Sequence, residues 1–329
     1  MLGATFALLS AASFAINMVT ARRGVLTGTP SQAMAISVPL GVLCFLLAAA
    51  VVGEVDRLLN FSPTSAAWMA GVGVLHFVVG RYCNYRATQA AGANLTSTVL
   101  HLQVVATLTL AVIVLHEPCS VLQMIGGVLI IAGSLVTHRQ RVRPASTQHA
   151  VKAAARNVFV PRRLTGYLFA TLAALAYGTS PIMARMALAE SAPANGLLGG
   201  LIAYGAATAV IALAFVAAPI RRNIMALDRR NGRWFFYSGL SVAIAQGFFF
   251  AAIAVAPIMV VVPILQMSLV FLLIFSKWFN PDHEVFGRLV IIGVSISIAG
   301  ALSVSIDTDT ILSVLGLPEE IARLLRWRL

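Results

Sequence analysis

Ten apolar runs constrain this chain more than any motif does. They lie at approximately 2–21, 33–53, 66–88, 92–114, 119–137, 164–186, 196–218, 233–255, 257–278 and 285–305. A helix rises about 1.5 Å per residue, so roughly 20 residues cross a hydrocarbon core about 30 Å thick. Inside lipid every backbone N–H and C=O must pair within its own segment, which leaves the helix as the fold for runs of this kind. The chain is 59% hydrophobic and only 10% charged, against roughly 25% charged in soluble domains. The expectation is an all-α membrane protein with ten transmembrane helices. The first run is read as a retained span rather than a secretory signal, because Arg22 and Arg23 follow it instead of preceding it. Cys44, Cys83 and Cys119 have no Cys-x-x-Cys spacing, so neither a disulfide framework nor a zinc site follows from them.

The net charge of +12 invites a nucleic-acid reading. Its placement argues for topology signals and contact with anionic lipid instead. The basic residues gather in connections between apolar runs, chiefly 139–163 and 221–233. Of the 23 Lys and Arg, all but Arg57, Arg81, Arg185, Arg323, Arg326 and Arg328 fall at the connections after the odd-numbered spans. The positive-inside rule then places the central linker in the cytoplasm and both termini outside.

The chain also repeats itself. HEPCSVLQMIGGVLIIAG at 116–133 has a second copy, HEVFGRLVIIGVSISIAG, at 283–300. Gly3 stands to Ala21-Arg22 as Gly166 stands to Ala184-Arg185, and Trp68 and Trp234 open the third span of each half. This divides the chain into a five-helix repeat at 1–137, a basic linker at 138–163, a second five-helix repeat at 164–305 and a tail at 306–329. An odd number of spans per half threads the second repeat through the membrane in the opposite direction. Two inverted five-helix repeats related by an in-plane axis are a recurring device of alternating-access carriers.

Ten spans in two halves, each closing with Glu, a short gap and a Gly-x(6)-Gly helix, resemble the drug/metabolite transporter superfamily with paired EamA-type domains. The segment GRYCNYRATQAAGANLTSTVLHLQVVATLTLAVIVLHEP resembles that domain's third and fourth helices running into its glutamate. The resemblance covers about residues 2–305. It implies a carrier of amino acids, sugars, nucleotides, drugs or other metabolites, driven by substrate or ion gradients without a cofactor. Ten-span members of the family usually keep both termini inside, and the charge bias here departs from that.

His116-Glu117 and His283-Glu284 suggest the His-Glu-x-x-His zinc helix, but Ser120 and Gly287 stand where the second histidine is needed. Glu117 and Glu284 are instead read as helix-start residues, where a carboxylate meets the positive end of the helix dipole. A gate or cation contact is the other reading. Gly126 and Gly133, and likewise Gly293 and Gly300, lie two turns apart on one helical face and permit close helix approach.

Polar groups deep in lipid tend to mark pathways. All 11 acidic residues fall in loops, helix edges or the tail. The intramembrane glutamate on which the resemblance's small multidrug relatives rely has no counterpart here. What remains inside is neutral or basic. Arg81 offers a planar fork for a carboxylate or phosphate, with Asn84 and Tyr85 one turn on and His76 nearby. Pairing with backbone carbonyls or snorkelling is the other reading of Arg81. His101 and Gln103 in span 4, Gln246 in span 8, Gln266 after Pro263 in span 9, Tyr177 before Gly178-Thr179-Ser180-Pro181 in span 6, and Asn17 in span 1 complete the candidate substrate-binding set. Each serves equally as an interhelical hydrogen bond. His76 and His101 are candidates for proton coupling.

The tail, with Pro318, Glu319-Glu320 and an apolar stripe of Ile321, Leu324 and Leu325, reads as a short amphipathic helix on the membrane surface. The functional expectation is a secondary transporter of small polar, carboxylate-bearing or otherwise anionic metabolites in a bacterial cytoplasmic membrane. The alternatives are a translocase of lipid or lipid-linked sugar and an intramembrane enzyme. For the enzyme, no convergent catalytic set, metal site or cofactor motif is visible. The partners implied are a small-molecule substrate and membrane lipids, not nucleic acid; monomer and homodimer both stand. A reporter active only in the cytoplasm, fused at residue 150, is expected to be active; a silent fusion reverses the orientation.

Overall fold

A computed structural model describes residues 2–25, 28–91, 99–100, 102–141, 162–190, 195–279, 288–305, 308, 312 and 319–327. The described residues form helices and connecting turns. In chain order these are α1 (Leu2–Val25), α2 (Pro30–Val52), a 3₁₀ turn (Val55–Asn60), and α3 (Pro63–Val72). A π-helical segment (Gly73–Gly80) joins α3 to α4 (Arg81–Ala91). There follow α5 (Leu102–Leu115), α6 (Val121–Arg141), α7 (Arg163–Glu190), α8 (Gly196–Phe215), α9 (Ala218–Met225) and α10 (Arg229–Val255). The last are α11 (Ile258–Leu265), α12 (Ser268–Phe279), α13 (Arg288–Ser305) and α14 (Glu319–Arg326).

Among the described residues six helices are long and apolar enough to cross a membrane: Leu2–Ala21, Pro30–Val52, Pro63–Ala87, Leu164–Glu190, Gly196–Phe215 and Arg229–Val255. Leu102–Leu115, Val121–Gly133 and Ile258–Leu272 are shorter apolar helical stretches. The expected span 257–278 is broken at Gln266–Met267, three residues after Pro263, where Gln266 N–H donates to the Pro263 carbonyl at 3.0 Å in a tightened turn. His101, Glu284, the entrance of span 4 and most of the linker lie outside the described residues.

The helices of one half pack chiefly on those of the other. The most extensive contacts are α1 with α10, α6 with α13, α2 with α10 and α8, α7 with the α3–π–α4 helix and α5, and α1 with α11 and α12. Small residues make these seams possible, since lipid supplies no hydrophobic drive between helices. Ala7, Ala11 and Ala15 are fully buried along α1, where Ser10 Oγ donates to the Ala245 carbonyl at 2.7 Å. A Cβ at Gly3 would lie 2.3 Å from that of Ala256. Gly126, Gly133, Gly293 and Gly300 are all buried, on the paired helices α6 and α13.

Contact registers give the helix directions. Gly3 meets Ala256, Ser10 meets Ala245 and Asn17 meets Ser238, so α1 and α10 are antiparallel. Gly239 meets Ser37 and Phe45 meets Phe250, so α2 runs parallel to α10. Gly41 meets Tyr204 and Gly200 meets Phe45, so α2 and α8 are antiparallel. Met69 meets Gly199, Gly73 meets Ala203 and Phe77 stacks on Tyr204, so α3 and its π extension run parallel to α8. Gly71 meets Met183 and Gly80 meets Tyr177, so that helix is antiparallel to α7.

Two expectations change. The segment from α5 to α6 does not start α6 on Glu117. Ser120 does so, accepting from Gln123 N–H at 3.2 Å while Gln123 Oε1 accepts from Ser120 N–H at 3.0 Å. The tail helix α14 rests on α6 rather than on lipid alone: Ala322 and Leu312 are buried, and Val121 N–H donates to the Trp327 carbonyl at 3.0 Å.

A Cβ at Gly73 would lie 2.0 Å from the Ala203 carbonyl oxygen, a backbone atom that cannot rotate away, whereas Gly205 has nothing within 4 Å. Gly73→Ala is expected to cost about 1–3 kcal/mol. Gly205→Ala is expected to stay within about 0.5 kcal/mol. Thermal unfolding in detergent, read on both variants, checks the contrast.

Candidate functional site

The centre of the helix bundle is where its regular hydrogen-bonding is most disturbed. The π segment Gly73–Gly80 carries His76 near the middle of the long helix that runs from Pro63 to Ala91. Such wide turns recur at functional sites, because they leave backbone groups and side chains displaced from the regular ladder. Glycines at both ends permit it: Gly73 lies on the Ala203 backbone and Gly80 on the Tyr177 ring. Facing it, Pro181 lies inside α7 and has no N–H to give the Tyr177 carbonyl. The Ser180 hydroxyl donates to that carbonyl instead, at 3.3 Å.

That donation fixes the chemistry around His76. Ser180 Oγ has given its proton away, so at 2.6 Å it accepts from His76 Nδ1–H. His76 Nε2 is then the unprotonated nitrogen and accepts from the Gln246 amide at 3.3 Å. The directed chain is Gln246 to His76 to Ser180 to the Tyr177 carbonyl, with the tautomer assigned by the network. The Tyr177 ring sits 4.7 Å from the imidazole and the Phe77 ring 5.0 Å.

Arg81 lies one turn beyond. Its guanidinium donates from Nη1 to Ser37 Oγ at 3.0 Å and sits 5.3 Å over the Phe77 ring. Its charge acts on His76, Tyr85, Tyr177 and Tyr204, and Asn84 lies beside Tyr177. No ion pair to Arg81 is found among the described residues. Tyr204 is fully buried, stacked on Phe77 at 4.1 Å, and its hydroxyl has no hydrogen-bond partner. His76, Tyr85 and Tyr177 are each partly accessible, unlike Tyr204.

The expected set therefore divides. His76, Arg81, Asn84, Tyr85, Tyr177 and Gln246 come together. Gln103 stands at the edge, its backbone touching Gly178 where Thr107 Oγ1 bridges the Gln103 and Gly178 carbonyls. Asn17 is elsewhere, accepting from Ser238 Oγ at 2.6 Å in the α1–α10 seam. Gln266 sits in the break between α11 and α12, next to Met267, which packs on Ala11. His101 is outside the described residues. Sequence reasoning did not single out Ser37 or Tyr204 and used Ser180 only as part of a bend. The available signals were a hydroxyl just before a helix-interior proline, and one large ring within the Gly199-Gly200…Gly205 run.

Glu117 makes a different arrangement near one end of the bundle. His116 adopts a left-handed backbone, φ 51°, which ends α5 and turns the chain. Glu117 Oε1 and Oε2 then accept from the Ile258 and Met259 backbone N–H groups, each at 3.0 Å. The carboxylate caps α11 of the other half, not its own α6. Arg185 Nε lies 4.0 Å from Glu117 Oε1, and Arg185 also donates to the Ile253 carbonyl.

A fifteen-nitrogen spectrum of His76 should show the Nδ1-protonated neutral form in the native protein. Ser180→Ala should convert it to a mixture of tautomers; an unchanged spectrum would refute the directed chain.

Residues 1–139 match the model of the EamA-like transporter family. A search of curated proteins found no match. Among solved structures 18 chains match. One, described only as a crystal structure of a protein, has a TM-score of 0.69 at 15% identity, covering 96% of this chain and 98% of that one. At that identity the likeness speaks for the fold alone. The first part of the chain, residues 1–139, is similar to an EamA-like transporter domain, and the chain is a multi-pass membrane protein.

Proposed function

We propose that the chain is a secondary transporter that carries a small polar metabolite bearing an anionic group, by alternating access between two inverted five-helix repeats. The observation that carries the reading is Arg81. It is a permanent charge at mid-bundle, held by a neutral hydroxyl and an aromatic face, with no carboxylate paired to it among the described residues. A bare guanidinium in that setting is costly unless an anion shares it, and a bidentate carboxylate or phosphate group fits its fork. In this reading Asn84, Tyr85, Tyr177 and Gln246 line a central recess and offer hydrogen bonds to the neutral remainder of such a solute. His76, engaged at both ring nitrogens, orients Gln246.

Alternating access is supported by helix direction. Fixing α1 as upward makes α10 and α2 downward, α8 and the α3–π–α4 helix upward, and α7 downward. The first three spans of one half then run opposite to the first three of the other. The partners also exchange: the first span of each half lies along the third span of the other. The recess sits at that crossing, so rocking one half on the other would alter access to it. The charge bias of the connections puts the α9–α10 side in the cytoplasm. There a surface recess of about 530 Å³ is lined by Asp228, Arg229, Arg230, Arg233, Trp234 and Tyr237, with Arg23 stacked 4.7 Å from the Trp234 ring. Arginines and aromatic rings together are the usual furnishing of a lipid–water boundary.

A thermal-shift screen of metabolites against the purified protein is expected to return carboxylates or phosphates, and Arg81→Gln is expected to weaken the best of them by about tenfold or more. Counterflow of that solute in liposomes should fall in parallel. A hit that is indifferent to the loss of the guanidinium removes the anion from the reading.

A further inference from the structure

We propose that Glu117 is a positioning residue that latches the two halves together on the side of the molecule opposite the α9–α10 connection, and that its release opens the central recess toward that side. The proposal rests on the alternating-access reading above. Glu117 N–H donates to the Ala111 carbonyl of its own half at 3.2 Å, but every side-chain tie found for Glu117 among the described residues crosses between halves. It lies in the α5–α6 connection of the first half, while the Ile258 and Met259 amides and Arg185 belong to the second. Arg185 in turn holds the Ile253 carbonyl, so one carboxylate and one guanidinium gather the ends of α5, α7, α10 and the start of α11.

The strained turn at His116 serves this arrangement. A β-carbon at positive φ is unfavourable, and here it aims the next side chain away from its own helix and into the other half. Nearby, Asn195 caps α8 with its Oδ1 while its Nδ2 donates to Glu54 Oε2, a second tie across the halves at the same end. The opposite end has its own set. Thr29 Oγ1 donates to Asn223 Oδ1 at 2.6 Å, and Gln32 Nε2 donates to the Asn223 carbonyl at 2.8 Å. A molecule that opens alternately must break one set while keeping the other.

The chain carries its own reporter. Cys119, two residues from Glu117, is a free thiol that is only 1% exposed. Thr20, 7% exposed in α1 towards the opposite end, can be replaced by cysteine as the second reporter. The experiment uses full-length protein in lipid nanodiscs, where both faces meet the solvent and no assumption about orientation enters. Cys44→Ser/Cys83→Ser is the background for Cys119, with Cys119→Ser added for Thr20→Cys. The labelling rate with a membrane-impermeant maleimide is read at each reporter. Glu117→Gln, and independently Arg185→Gln, are expected to raise labelling of Cys119 about fivefold or more and to lower labelling of Thr20→Cys.

The reciprocal change is what separates a gate from a merely structural contact, since loosening the fold raises labelling at both reporters. Gln32→Ala, which cuts the opposite tie, should shift the pair the other way. If the Glu117 and Arg185 variants leave both rates unchanged while Gln32→Ala shifts them reciprocally, the latch is overturned and alternating access stands. If both rates rise together in every variant, or none responds, the alternating-access reading falls and takes the latch with it.

Discussion

Helices in lipid have no hydrophobic reason to touch one another, so association must come from close packing and a few polar contacts. In this chain those contacts run mainly between halves. The alanine face of α1 fits α10, Gly41 and Gly200 admit the Tyr204 and Phe45 rings between α2 and α8, and Gly71 and Gly80 admit Met183 and Tyr177 against α7. Each half therefore lacks within itself the partners for its own small-residue faces. The seams between halves therefore fit glycines and alanines of one half against larger side chains of the other.

Where the seams cross, backbone regularity fails, and that failure makes the site. The π segment displaces His76, Pro181 leaves the Tyr177 carbonyl without its helical donor, and Ser180 closes both deficits with one hydroxyl. An isolated polar group in this region would be expensive. A directed chain from Gln246 through His76 to a backbone carbonyl spreads the need for partners over three helices: α7, α10 and the one that contains the π segment. Arg81 is the exception: its fork of five donors has only neutral neighbours among the described residues, Ser37 Oγ and the nearby Tyr204 ring. The Tyr204 hydroxyl, buried and unpartnered, stands within reach of its field. Elsewhere on the described α3–π–α4 helix, Ser65 Oγ is also buried without a partner, but it carries no charge.

Much of this was legible in one dimension. Most apolar runs land on helices within a few residues of the expected bounds, while the run 257–278 is broken at Gln266–Met267 and the entrance of 92–114 lies outside the described residues. The Trp68/Trp234 spacing sets Gln246 opposite Gly80, beside Arg81, and His76 and Gln246 do meet. Periodicity reports burial, and internal repetition reports symmetry. Neither reports which long-range partner a polar group finds. Asn17 belongs to the expected substrate-binding set but is taken by Ser238, because α1 packs along α10. Ser37 and Tyr204 gave no sequence signal of their contacts with Arg81 and Phe77, since these arise only when α2 and α8 cross. The fate of Glu117 was hidden for the same reason. A carboxylate before a helix reads as a cap for that helix, and only the left-handed turn at His116 reveals that it reaches another.

The energetic scale of that reach bears on its role. A hydrogen bond to a charged group contributes about 1.5–3 kcal/mol, so two backbone amides on one carboxylate amount to roughly 3–6 kcal/mol before desolvation is subtracted. Moving a two-state equilibrium from one dominant form to the other takes about 5.5 kcal/mol. A contact of this size can decide which form prevails without locking it. The carboxylate is 11% exposed and its arginine 28%, so water can take over the amides and both charges when the halves part, and the cost of breaking stays near the cost of making. A fully buried pair would have no such replacement and would hold one form permanently. In the proposed cycle, the position of Glu117 at the end of the seams rather than in their middle would let the interaction break and re-form.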